Sequence, residues 1–412
     1  MARTQYTAMH FWLTVSPVLY IYIVTNLIQP LFESQHAFTT CFHFLNLTIK
    51  ETKPHTIDFY RSKLVNNNNN SMNNIESYPP VLRHLEQQRH PPPPPPPPPN
   101  SDPDEEFQEP DPVPIIDLEC LHHEKLEEAC KNWGLFRLVN HGVPLTLLKE
   151  LQEAAKELFS VSFEAKESAC SGSPVTYFWG TPALTPSGTA LTRSPQNMNW
   201  VEGFDVPLSQ LSHFNPQLPT LESVRVLVME YEKHLSRIGR RLLEAMAKNL
   251  ELNIKNSKEY LAVGMMRVYR YPNCPDTNGG WGMEAHTDSS VMSILNQGDE
   301  VGGLQLLKHH QWLNVKPIPD TLIVNLGDMM QAISNDRYKS VTHRVSMNKH
   351  KERISLCYFA FPGEEVVIES SKYKPFTYNE FRAQVQEDIK ALGHKVGLSR
   401  FHHNQNSQVS LL

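Results

Sequence analysis

From Val263 to Phe361 the sequence falls into seven short runs with an apolar period of two: MMRVYRY, SVMSILNQ, GLQLLK, QWLNVKP, TLIVNLGDM, SVTHRVS and RISLCYFAF. Gly, Pro, Asn or Asp separates most of them. Alternation of this kind marks strands that turn every second side chain toward a core. So many strands at this spacing predict a sandwich or jelly roll, and such folds can hold a small molecule between their two sheets. Upstream the period changes to that of helices. Leu126, Ala129, Cys130 and Trp133 recur at helical spacing and Gly134 stops them; Leu135 to Val139 reads as a strand closed by the turn Asn140-His141-Gly142. Pro144 opens a helix whose buried stripe is Leu147, Leu148, Leu151, Ala154, Ala155 and Leu158. Leu221 to Leu250 is the clearest helix, with Val224, Leu227, Val228, Tyr231, Leu235, Ile238, Leu242, Ala245 and Met246 on one face. Between them, residues 171 to 216 read as an irregular loop rich in aromatics (Tyr177, Phe178, Trp179, Trp200, Phe204), either walling a ligand site or packing half-buried.

The first 111 residues are a different polymer. Prolines concentrate there, nine of them in the run Pro91 to Pro99, together with Asn66 to Asn70 and the acidic stretch Ser101 to Asp111. None of these can bury a core, so residues 1–111 read as a disordered leader. The proline run reads as a stiff spacer in preference to a docking peptide. Trp12 to Phe32 carries no charge, but Pro17, Asn26, Gln29 and Pro30 dilute it and only Arg3 precedes it, so no membrane span is expected. The next methionine after Met9 is Met72, and residues 1–71 read as an untranslated leader or a dispensable extension.

A formal net charge of −6 over 412 residues excludes a basic nucleic-acid binder. The six cysteines, Cys41, Cys120, Cys130, Cys170, Cys274 and Cys357, contain no CxxC pair and no regular spacing, which fits neither a zinc ribbon nor a disulfide framework and favours a reducing, cytoplasmic setting.

Chemistry concentrates in the strand-rich half. WGMEAHTDSSV holds His286 and Asp288 as His-x-Asp, and on a strand the two side chains share a face and could bind one metal from one strand edge. The pair alone is weak, because His-x-Glu also occurs at His84/Glu86, His122/Glu124 and His350/Glu352. Its company strengthens it. His343 lies on a later run, and Arg353 and Ser355 begin the next. Two imidazoles and one carboxylate on a single face form the donor set of non-haem Fe(II) oxygenases. A nearby guanidinium fork suits one end of a dicarboxylate co-substrate, and the Ser355 hydroxyl, two residues along, faces the same way.

His286-x-Asp288, His343 and Arg353-x-Ser355 resemble the signature of the plant 2-oxoglutarate and Fe(II)-dependent dioxygenases. The resemblance runs in order through PVPIIDL, EEACKNWGLFRLVNHGVP, RYPNCP, EAHTDSS, VGGLQLL, WLNVKPIPDTLIVNLGDMMQAISNDRYKSVTHRV, RISLCYFAFP and GLSRF, from Val113 to Phe401. It implies a mixed α+β fold, a double-stranded β-helix (jelly-roll) core with N-terminal and flanking helices. It also implies an oxidoreductase of the EC 1.14.11 type, with His286, Asp288 and His343 as catalytic Fe(II) ligands, 2-oxoglutarate and O2 as co-substrates, and ascorbate as reductant. Tyr271 would join Arg353 and Ser355 on 2-oxoglutarate, and Phe359 would stack on the substrate. Many members have Asn where this chain has Tyr269, which puts a polar contact from that position in doubt. The C-terminal half is most similar to gibberellin 2-oxidase-like members, which implies 2-oxidation and inactivation of a gibberellin. The alternatives are another small acid or phenolic, such as auxin or a flavonoid, a catalytically idle jelly-roll binding module, or a zinc hydrolase that would leave Arg353 and Ser355 without a role.

The domain expectation is a leader over 1–111, an N-terminal helix and strand domain over 112–220, and a long helix plus jelly roll over 221–412, its core about 260–362, ending in a C-terminal helix. The expected partner is a small-molecule substrate, with no nucleic acid or membrane, and the chain is expected to be a monomer. Elsewhere, His141 reads as structural, His309, His310, His402 and His403 as solvated, and Asp328 as fixing a turn. Trp281 and Glu284 either line the pocket mouth or simply pack.

Overall fold

The period-two runs become strands of two facing sheets. In the computed structural model, which describes residues 75–87, 111–180, 199–252, 257–274, 281–298 and 301–403, the strands are β1 (Ile115–Asp117), β2 (Leu135–Val139), β3 (Thr176–Trp179), β4 (Glu202–Pro207), β5 (Val263–Tyr271) and β6 (Met283–His286). They continue with β7 (Met292–Asn296), β8 (Leu304–Lys308), β9 (Gln311–Asn314), β10 (Leu322–Leu326), β11 (His343–Val345) and β12 (Arg353–Phe361). The larger sheet has eight strands in the order β1-β2-β10-β7-β12-β5-β4-β3, and the smaller has four, β6-β11-β8-β9. Among the helices are α1 (Pro80–Gln87), α2 (His123–Glu128), α3 (Leu145–Ser160), α4 (Phe163–Cys170), α5 (Pro219–Asn249), α6 (Asp328–Ile333) and α7 (Tyr378–Leu392).

Alternation along β5 and β12 explains the layering. Met266, Val268, Leu356, Tyr358 and Ala360 face the helical layer, where the α3 and α5 stripes bury, while Tyr269, Tyr271, Cys357 and Phe359 face the smaller sheet with Leu304, Leu306 and Val345. All nine residues of β12 are buried, so its sequence is an almost continuous apolar run. Leu235, Ile238 and Leu242 of α5 are fully buried against the sheet, each contributing about 1.5–3 kcal/mol by burial. Gly134 ends the turn of π-helix after α2 with φ +68°, and a Cβ there would fall 2.2 Å from the Lys339 carbonyl oxygen. Only glycine fits that approach.

Three expectations change. The larger sheet ignores the boundary expected at 220/221, because β2 pairs with β10 and β4 with β5. Within the aromatic loop, Thr176–Trp179 and Glu202–Pro207 are paired strands at the sheet edge, since each carries alternate buried side chains (Phe178, Phe204, Val206) that the sheet absorbs; residues 181–198 lie outside the described ones. Within the leader, residues 75–87 are structured. Tyr78 and Leu82 are buried. The Ser77 carbonyl accepts hydrogen bonds from Lys166 Nζ (2.7 Å) and Arg270 Nη2 (3.0 Å), two cations that also pair with the buried Glu202. The homopolymers flanking this segment masked it, because the partners it satisfies are distant in sequence. The runs at Trp12 to Phe32, Asn66 to Asn70, Pro91 to Pro99 and 101 to 110 lie outside the described residues. Among the described residues, no helix is long and apolar enough to cross a membrane.

Candidate active site

Pairing of β11 with β6 sets His343 opposite His286, the rings 4.3 Å apart and tilted by 54°. Strand β6 ends at His286, and Asp288 lies in the turn that follows, not on the strand as its spacing predicted. The turn still brings the carboxylate back: His286 Nε2 and His343 Nε2 stand 3.8 and 3.7 Å from Asp288 Oδ1. One donor atom from each of the three lies within 4.8 Å of the others.

Each of these three side chains is oriented from behind. Nδ1 of His286 lies 2.7 Å from the Glu284 carbonyl oxygen and Nδ1 of His343 3.2 Å from that of Val341. A ring nitrogen facing a carbonyl carries the proton, which leaves each Nε2 as a lone pair toward Asp288. Burial, reinforced by the neighbouring His343, lowers His286 to about 4, so its ring is neutral at neutral pH, as a metal ligand must be. Asp288 Oδ2 accepts from Ser293 Oγ (2.8 Å) and Asn325 Nδ2 (2.7 Å), turning Oδ1 to the imidazoles. Burial alone would raise this carboxyl, but the two imidazoles and these two donors outweigh it and hold it below the usual carboxylate range.

The inward face of β12 carries Arg353, Ser355, Cys357 and Phe359 in succession, and β5 lays Tyr271 beside Arg353 and Tyr269 beside Ser355. Arg353 is buried, and its Nη1 donates to Ser355 Oγ at 3.0 Å. Its Nε and Nη2 are buried with no hydrogen-bond acceptor. Among the described residues no carboxylate pairs with it, and an unpaired buried guanidinium is costly. The Tyr271 ring lies 5.1 Å from the guanidinium, and burial pushes its phenol up to about 12, so it keeps its proton and can donate. These groups and Phe359 line one cavity of about 50 Å³ between the sheets. Tyr269 lines it too, stacked 5.8 Å from Tyr271. Two imidazoles and one carboxylate fit an Fe(II) ion, and an orphaned guanidinium fork beside a hydroxyl and a phenol fits the far carboxylate of 2-oxoglutarate.

All seven residues singled out from sequence thus converge on this cavity. Ser293, Asn325 and Gly327 were missed. Asn325 had a signal of its own: it is the one amide in LIVNL, a strand buried throughout. Gly327 packs so closely on the Asp288 turn that a Cβ would lie 2.1 Å from the Ser290 carbonyl oxygen. Trp281 lies off the cavity lining, its ring 3.8 Å from the Arg344 guanidinium, and the Glu284 amide donates to Asn199 Oδ1 at 2.9 Å. His141 is buried and accepts from the Val143 amide at 3.1 Å, a structural role. Asp328 pairs with Lys395 at 2.5 Å.

Comparison with known proteins agrees with this chemistry. Residues 262–362 match the 2OG-Fe(II) oxygenase superfamily, and residues 113–219 match the N-terminal family described as non-haem dioxygenase in morphine synthesis. Gibberellin 2-beta-dioxygenase 8 of Arabidopsis thaliana is 37% identical over 305 residues, 70% of this chain and 86% of that protein. Gibberellin 2-beta-dioxygenase 6 of Oryza sativa subsp. japonica is 35% identical over 321 residues, 72% and 86% of the two chains. A crystal structure of JOX2 in complex with 2OG, Fe and JA is 31% identical, with a TM-score of 0.57, over 66% of this chain and 85% of that one. Identity at this level, sustained over most of each relative, shows that the chain belongs to the 2OG-Fe(II) oxygenase superfamily.

Proposed function

We propose that the chain oxidises a gibberellin at the 2-position, inactivating the hormone, with Fe(II) held by His286, Asp288 and His343 and 2-oxoglutarate held by Arg353, Ser355 and Tyr271. The convergence of the His-Asp-His set and an orphaned Arg353 fork in one cavity carries the reading of the site. Its substrate rests on the two gibberellin dioxygenases at 37% and 35% identity. Bound iron and 2-oxoglutarate, with O2, supply the oxidation of a substrate C–H bond coupled to release of succinate and CO2.

The chain's residues supply placement. Arg353 Nε and Nη2 meet a carboxylate as a planar fork, Ser355 and Tyr271 add neutral donors, and the co-substrate's other end is thereby directed at the His-Asp-His set. Ser293 and Asn325 keep Asp288 Oδ2 engaged, so one oxygen is left for the metal. Phe359, farther along the same strand face, with Leu295 and Leu304, gives the cavity an apolar wall for a hydrocarbon skeleton and keeps water out. A jasmonate-type or other small acid is the second reading, favoured by the 31% identity to JOX2.

The chain is read as a monomer and as cytoplasmic, the second supported by Cys120, Cys130, Cys170 and Cys357, which form no disulfide. Arg353→Ala tests the assignment. Losing two charge-assisted hydrogen bonds, about 3 kcal/mol, raises the half-saturating 2-oxoglutarate concentration about 100-fold while Fe(II) affinity stays within about threefold. An unchanged 2-oxoglutarate requirement contradicts it.

A further inference from the structure

The Asp288 turn is also held from outside the cavity, by a segment remote in sequence. After α7 the chain turns at Gly393 and presents Lys395, whose Nζ donates to the Thr287 carbonyl oxygen (2.9 Å) and to Ser289 Oγ (3.1 Å) and pairs with Asp328 Oδ2 (2.5 Å). Asp328 in turn ties the residue between: its amide donates to the Asp288 carbonyl oxygen at 2.8 Å, and Thr287 Oγ1 donates to its Oδ2 at 3.4 Å. Three successive residues, 287 to 289, are thus bound to one ion pair that is largely shielded from solvent, with side-chain exposures of 17% for Lys395 and 6% for Asp328. Farther along, Leu398 enters the main core and the Phe401 ring packs 4.4 Å from that of Phe376, tilted by 39°, so the Lys395 backbone is anchored.

We infer that Lys395 is a positioning residue for the metal carboxylate, so that the C-terminal segment is part of the iron site although it contributes no ligand. This rests on the metal reading above and adds to it a residue that does not line the cavity. Ser293 and Asn325 set which way the carboxylate points, whereas Lys395 and Asp328 set where its backbone stands. A turn with no regular secondary structure of its own would otherwise lose that position, and ligand placement is sensitive to such outer contacts.

The test is the Fe(II) dissociation constant of the full chain, titrated anaerobically without 2-oxoglutarate. Lys395→Met weakens Fe(II) about tenfold or more, the range for loss of an outer partner. Lys395→Arg, which keeps the cation, stays within about threefold of wild type, and Asp328→Asn weakens binding in the same direction as Lys395→Met, so the inference survives even if one of those two variants fails to fold. Arg400→Ala controls for general loosening of the segment: it breaks the Arg400–Asp388 pair (2.8 Å) without touching the turn and leaves affinity within about threefold of wild type. Fe(II) affinity of Lys395→Met within about twofold of wild type, or an equal loss in Arg400→Ala, overturns the inference and leaves the metal reading standing. A wild type that binds no Fe(II) overturns both.

Discussion

At Asp288 two donors decide the geometry, and they come from one cross-strand pair: Asn325 on β10 faces Ser293 on β7, and both reach Oδ2. Asn325→Ala therefore lowers Fe(II) affinity about tenfold, read by anaerobic titration, with little change in the denaturant midpoint. The candidate residues His286, Asp288, His343 and Arg353 stood out in the sequence because imidazole, carboxylate and guanidinium announce their chemistry wherever they stand. Ser293 and Asn325 were not, since an amide or hydroxyl gains its meaning only from the β7–β10 register, which no local pattern encodes. The placement of Asp288 off the strand has the same cause. A spacing of two predicts one face only if the strand continues, and β6 stops at His286.

Strands β5 and β12 divide their labour by parity. Odd positions (Tyr269, Tyr271, Arg353, Ser355, Phe359) face the cavity, while Arg270, between the two tyrosines, faces the helical layer and meets Glu202, Ser77 and the Tyr78 ring at 4.2 Å. The segment from Ile75 through α1 therefore packs behind the strand ends that carry Tyr271 and Arg353. Tyr78→Ala removes a buried ring and destabilises the chain by about 2–4 kcal/mol, measured by urea unfolding. The same cluster predicts a pH effect. Burial lowers Lys166 to about 8 despite the adjacent Glu202. Between about pH 8 and 10.5 the unfolded chain thus binds the proton that the folded chain releases, and this group's contribution to stability rises with pH across that window. Unfolding free energies of wild type and Lys166→Met at pH 8 and 9.5 check it: the wild type gains relative to the variant as pH rises, and a constant difference contradicts the assignment.

On the scale of the whole chain, the jelly roll and its seven strand runs were readable because alternation is local, and so were the α3 and α5 stripes. The partition of the larger sheet was not, because β1 to β4 precede the long helix and join strands that follow it. A fragment of residues 221–412 consequently exposes β10 and β5 as edges and does not fold to a two-state unfolding species. Gly134→Ala costs the intact chain about 2 kcal/mol or more, since φ +68° and the Lys339 carbonyl both oppose a Cβ. Catalysis by the intact chain is read from succinate release. The purified full chain, with Fe(II), ascorbate, O2 and 2-oxoglutarate, releases succinate in a one-to-one ratio with a hydroxylated gibberellin, and Asp288→Ala abolishes both. Succinate release that no gibberellin stimulates, or that survives Asp288→Ala, contradicts the account.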